Sequence, residues 1–112
     1  MLLGLAALVI GCVRSHPMEG QWKGVDAEGK EVVLFLHRDG KFEAVARGER
    51  VAGTWLVDEE VEPNRIDLNF EGKKVSSIAK VQADNLLIEP VGSDGKLPTS
   101  FSKKATYYTR QR

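Results

Sequence analysis

Cysteine is almost missing from this chain. Its 112 residues hold one, so neither an internal disulfide framework nor a multi-cysteine metal site can form. Histidine is nearly as scarce, at two residues, which leaves few bases to activate a Ser, Thr or Cys nucleophile. Neither sign of charge is in excess: 16 basic and 16 acidic side chains give a formal net charge of zero. A nucleic-acid binder needs a dense positive face to displace counterions from phosphates, so that class is not expected. Helical periodicity is nearly absent as well. The longest apolar run, Met1 to Cys12, would make a helix of about 18 Å, too short for a hydrocarbon core of about 30 Å. The length allows one domain.

That apolar run is nevertheless the first thing that is there. Residues 1–12 read MLLGLAALVIGC, apolar except for Gly4 and Gly11, and every charged side chain lies after Cys12. The run has the length and the small-residue ending of the apolar part of a secretory signal peptide. Its last four residues, Val9-Ile10-Gly11-Cys12, resemble the lipobox of bacterial lipoproteins. The resemblance implies a signal peptide over 1–11, cleavage before Cys12 and diacylation of its thiol, with palmitate-type chains. Each buried methylene contributes about 0.8 kcal/mol, so two or three chains anchor a protein stably. Residues 12–19 then form the lipidated cysteine and a tether, and a residue other than Asp at Val13 implies the outer membrane in a host that has one. Two plainer readings stay open: a simple cleaved signal peptide that leaves a free Cys, and an apolar N-terminal strand.

From Gly20 onward the chain is a string of short strands separated by turn residues. The pattern predicts strands over Gln21–Val25, Glu31–His37, Lys41–Arg47, Arg50–Asp58, Arg65–Phe70, Val75–Val81, Asn85–Pro90 and Ala105–Arg110. Asp39-Gly40, Gly48-Glu49, Glu71-Gly72 and Asp84-Asn85 supply the residues that tight hairpins require. Links this short pair each strand with its sequence neighbour, and closing the meander removes both edges. The expectation for 20–112 is therefore all-β: a small eight-stranded antiparallel up-and-down barrel, with a two-sheet sandwich as the alternative. Alternation places Phe42, Ala44 and Ala46 on one face, and Ile66, Leu68 and Phe70 likewise. The segment Val32–Leu36 is apolar on both faces, so an outer cover is expected from the tether, the Gly92–Ser102 loop or a partner. Residues 91–104 read as a mobile flap near the barrel mouth.

Gly20-Gln21-Trp22 at the start of the first strand resembles the G-x-W opening of the lipocalins and their short bacterial relatives. Arg38-Asp39-Gly40-Lys41-Phe42, Gly53-Thr54-Trp55, Pro63–Leu68 and Leu97–Ser102 fit the small lipocalin-like domains of bacterial envelope proteins. The resemblance implies a basic residue on the last strand stacked over the first Trp, and Arg110 is the candidate. Such a guanidinium-over-indole contact is worth about 0.5–2 kcal/mol.

The functional expectation is a membrane-anchored extracytoplasmic lipoprotein of the cell envelope that holds a small apolar ligand in the barrel. Trp22, Phe42, Trp55 and Tyr107 would line the site, and Arg110 or lysines at the mouth would meet an anionic head. The alternative is an envelope interaction or scaffold module with a filled barrel, using Val33, Phe35, Val45 and the 91–104 loop to bind a protein. No enzyme activity, cofactor or metal is expected. His16 and His37 are not placed to serve a nucleophile, and the acidic run Asp58–Glu62 lacks the Gly turn and spaced oxygens of a calcium loop.

Overall fold

The computed structural model describes residues 16–26 and 28–112, so the lipobox, Cys12 and the first part of the tether lie outside the described residues. Eight strands follow in chain order: β1 (Gly20–Val25), β2 (Glu31–Leu36), β3 (Lys41–Ala46), β4 (Glu49–Asp58), β5 (Asn64–Phe70), β6 (Lys73–Gln82), β7 (Asn85–Pro90) and β8 (Thr106–Gln111). Each pairs antiparallel with its neighbour, and β8 returns to β1 to close an up-and-down barrel. The sandwich alternative is thereby set aside.

The turns explain why the register is so regular. Arg47-Gly48 joins β3 to β4 with φ of 54° and 80°, and Glu71-Gly72 joins β5 to β6 with 51° and 77°. Positive φ at both central residues twists a two-residue hairpin the way its strands twist. The β6–β7 turn falls one residue earlier than the sequence suggests: Gln82 pairs with Asn85, so Ala83, at φ 54°, and Asp84 occupy it.

Register fixes which side chains point inward. Trp22 pairs with Leu34, Leu34 with Ala44, Trp55 with Leu68, Ile66 with Ser77, Ala79 with Ile88, Leu86 with Tyr108, and Trp22 again with Arg110. Paired residues share a face, so this circuit is the interior. Trp22, Leu34, Leu36, Phe42, Ile66, Ala79 and Leu86 fill it, all of them buried.

Glycine is required where β4 changes partner. This strand pairs with β3 up to Thr54 and with β5 only from Thr54 onward. A Cβ at Gly53 would overlap the Asn69 carbonyl and press on the Phe42 ring. The barrel turns a corner there, and a seam opens between the start of β4 and the β5–β6 hairpin.

Two expectations about the chain outside the sheet are corrected. Residues 16–19, read as tether, are packed: Met18 is 1% exposed and belongs to the core. The cause is hydrogen bonding. The Trp22 indole Nε1 donates to the Met18 carbonyl at 2.9 Å, and the Arg110 guanidinium donates to the Glu19 and Pro17 carbonyls at 2.9 Å each. The 91–104 loop, expected as a mobile flap near the mouth, has a fixed point. It is strapped to the outer wall at Glu89 of β7, whose carboxylate accepts Ser102 N–H at 2.7 Å and the Ser102 hydroxyl at 2.9 Å. Glu89, Ile78 and Leu87 all lie in the outer register and all are buried, so the covered wall is β6–β7.

The plug at Trp22 should dominate stability. Trp22→Ala is expected to cost about 3–5 kcal/mol in denaturant melts, as large aromatic truncations in a packed core do. Arg110→Met, which keeps the stem and loses the charge and both carbonyl bonds, is expected to cost about 1–3 kcal/mol. A loss below about 1 kcal/mol for Trp22→Ala would contradict the burial described above.

Candidate functional site

The two ends of the barrel are built differently. The closed end carries residues 16–19, the β2–β3 and β4–β5 connections and the β6–β7 turn. The other end carries the β1–β2 loop, the Arg47-Gly48 and Glu71-Gly72 turns and the start of the 91–105 connection.

The aromatic residues expected to line a ligand site do not gather around one. Trp22 is 0% exposed, and the Arg110 guanidinium sits 4.3 Å over its ring, as the sequence suggests. These two come together, but at the closed end, sealed from below by Met18. Arg110 therefore spends its donors on backbone carbonyls and is not at a mouth where it could meet an anionic head. Phe42 is likewise buried, edge-on to Phe70 at 5.9 Å. Trp55 is half-buried near the closed end, its indole N–H donating to the His37 carbonyl at 2.8 Å and its ring edge-on to His16 at 6.1 Å.

Tyr107 is the plain miss. It pairs with Leu87 in the outer register and is 63% exposed. Its neighbour Tyr108 points inward, opposite Leu86 and Gly24. Gly24 makes room for it: a Cβ there would stand 2.7 Å from the Tyr107 carbonyl and 2.9 Å from the Tyr108 ring. Burial, and then the negative charge of Asp26, push the Tyr108 phenol above its ordinary range.

What remains as a site is the open end. Its inner-register residues are Val32, Ala44, Ala46, Val51, Phe70 and Tyr108, and each is only half-buried, in contrast to the solid layers below. The sequence signal was present in part, because Ala44 and Ala46 were assigned to the inner face beside Phe42. Among the paired strand residues, Glu49 and Lys73 bring charge to the inner register at this rim. Beside Lys73, the seam between β4 and the β5–β6 hairpin forms an open groove of about 400 Å³ lined by Gly53, Thr54, Asn69, Phe70, Lys73 and Lys74.

The rim is electrically uneven. On the β1–β4 side, Arg47 donates to Asp26 at 2.9 Å and also meets Glu28, tying the β1–β2 loop to the β3–β4 turn. The Lys30 N–H and the Arg47 guanidinium hold the Asp26 carboxyl below its usual range, so that side is ionised and satisfied. On the other side, Lys73 and Lys74 form no salt bridge among the described residues. Lys73 pairs with Phe70 in the inner register beside the half-buried rim, whereas Lys74 pairs with Asn69 on the outer face, where its charge acts on Asp67. Among the described residues no group of three His, Cys, Asp or Glu could hold a metal ion.

The acidic run lies elsewhere, in the β4–β5 connection at the closed end. There Asp58 accepts the Glu60 N–H at 3.0 Å and Glu59 faces His16. The outward apolar residues Val33, Phe35 and Val45 are half-buried on the outer wall of β2 and β3, with Phe35 stacked on His37 at 6.2 Å.

No family model matches the chain, and no curated protein is significantly similar to it.

Tyr108 gives the site a titration of its own. A phenol whose pKa is raised on folding contributes stability that is present below its unfolded value of 10.0 and is lost as pH rises through the folded value. Ultraviolet titration of the folded chain should therefore show a tyrosine ionising later than 10.0, with stability falling in the same range. Tyr108→Phe should remove that late step. A late step that survives the substitution would place the raised phenol elsewhere.

Proposed function

We propose that this chain is a lipid-anchored extracytoplasmic lipoprotein of the bacterial cell envelope, held by acyl chains on Cys12. Its lipocalin-like barrel takes a small apolar ligand at the open end. The lipobox resemblance of Val9–Cys12 supports the anchor and the address, with the outer membrane as the destination in a two-membrane host.

One observation carries the ligand reading. The interior is filled by large buried side chains at the closed end, whereas at the mouth Val32, Ala44, Ala46 and Val51 lie between Phe70 and Tyr108 and all six stay half-buried. An eight-stranded barrel is wide enough to be filled by its own side chains. This one fills its lower layers with Trp, Phe, Leu and Ile and places Ala and Val on the β2–β4 side of its mouth. The ligand is accordingly small: one ring or a short alkyl chain in the mouth, with any anionic group at Lys73. The groove in the seam extends the contact sideways past Phe70.

A second reading rests on the outer wall of β2 and β3. Val33 pairs directly with Val45, and Phe35 follows two residues along the same face. An apolar strip of this kind suits a protein partner in the envelope. On that reading the filled barrel is a scaffold.

Native mass spectrometry of the full chain, purified from its envelope in mild detergent and then extracted, separates the two. The ligand reading expects a reproducible added mass near one-to-one, or binding of a supplied medium-chain carboxylate. Ala46→Phe, which fills the mouth, should abolish that binding. Replacing Lys73 by Gln should weaken a carboxylate by about tenfold, the loss of one charge-assisted hydrogen bond, and leave the matching alcohol unchanged. A domain that binds neither probe, and whose crosslinked partner is lost on Phe35→Glu, is the scaffold instead.

A further inference from the structure

We infer that the closed end of the barrel faces the membrane that anchors the chain and that the mouth points away from it. Ligand then reaches the mouth from the aqueous compartment and not out of the anchoring bilayer. This rests on the reading that Cys12 carries the lipid, and goes beyond it by fixing the direction of the domain.

The argument is one of leash length. If residues 12–19 were a free tether, the leash from Cys12 to Gly20 would span up to about 28 Å, at about 3.5 Å per residue. The barrel is of comparable height. β4, with β6 one of its two ten-residue strands, is about 33 Å long and rises about 25 Å along the axis when tilted by about 40°. On a leash that long the domain could turn over and press its mouth to the headgroups.

The structure removes half of that length. The Glu19 N–H donates to the His16 carbonyl at 2.9 Å, the Met18 N–H to His16 Nδ1 at 3.0 Å, and the His16 N–H to the Glu19 carboxylate at 3.1 Å. Arg110, whose two carbonyl bonds hold Pro17 and Glu19, fastens this turn to β8. Met18 is sunk in the core, and the His16 ring rests against Trp55 and Glu59. The chain is therefore fixed to the barrel from His16 onward. Four steps back to Cys12 reach at most about 14 Å, well short of the barrel's height. A leash shorter than the body it holds allows tilting and forbids inversion.

The test uses the full lipidated chain in phosphatidylcholine vesicles that carry a headgroup-linked quencher. A fluorophore is placed in turn on Lys30→Cys, in the mouth loop, and on Glu60→Cys, at the closed end. Both positions are exposed, and Cys12 is blocked by its lipid. The probe at 60 is expected to lose most of its emission and the probe at 30 to keep most of it. Equal or stronger quenching at 30 overturns the proposal. In a second variant a flexible Gly/Ser stretch inserted after Val13 doubles the leash, and the mouth probe should then become quenched. A mouth probe that stays bright on the longer leash overturns the leash as the cause. The intact mass of the N-terminal peptide reads the premise directly: a Cys12 without diacylglyceryl overturns the lipoprotein reading, and the inference falls with it for a reason the quenching does not report.

Discussion

The structure depends on one contact, the Arg110 guanidinium over the Trp22 indole. Seven of the eight strand pairings join neighbours through short connections or the 91–105 loop, and local hairpins of this kind form without help from distant chain. The eighth pairing, β1 with β8, is different in kind, because it brings together residues about as far apart as the sequence allows. The Arg110 bond to the Glu19 carbonyl spans 91 positions. Closing a flexible loop of that size costs about 4 kcal/mol from the logarithmic term alone. The groups that meet that cost converge at one point: the buried indole, Met18 beneath it, two carbonyls that receive the guanidinium, and the β1–β8 ladder. Without them the same eight strands would be an open sheet with two exposed edges.

This closure also sets what the interior can do. A floor made of Trp22, Leu36, Phe42, Ile66 and Leu86 takes the volume that a deep calyx would need at that end of the barrel. The proposed site lies instead at the last turn of the barrel, where Ala44 and Ala46 keep the wall thin and where β4 parts from β5. The seam and the mouth beside it have a common origin in Gly53. Because no side chain fits against the Asn69 carbonyl, β4 can swing from one partner to the other there, and the gap it leaves lies next to Phe70 and Lys73.

The fold was largely legible in the sequence because its determinants are local. Short links force neighbour pairing, Gly48 and Gly72 mark two-residue turns, and alternation in β3 and β5 assigns faces correctly. The site was less legible, and the reasons are specific. Tyr107 and Arg110 differ by an odd number of residues and so cannot both face inward on one regular strand. Once Arg110 is set over Trp22, parity alone selects Tyr108. Met18 was hidden for another reason. A single apolar residue in a polar stretch has no period to reveal it, and its burial comes from two backbone carbonyls captured by a residue at the far end of the chain. The strap at Glu89 is equally non-local, since nothing near Ser102 in sequence announces a buried carboxylate thirteen positions back.

The stabilising floor and the proposed site thereby occupy opposite ends of the same barrel. Substitutions on the floor act on fully buried groups and are felt by the whole fold, whereas the mouth residues are half-buried and pack against fewer atoms, so changing them costs less. A lining of Ala and Val can be enlarged or reshaped one methyl group at a time while the Trp22–Arg110 closure holds the strands in register. The rigid end is also the end where Arg110 clamps residues 17 and 19. On the proposed anchoring at Cys12, the contact that closes the barrel is also the one that orients it, and the part free to vary is the part turned toward solution.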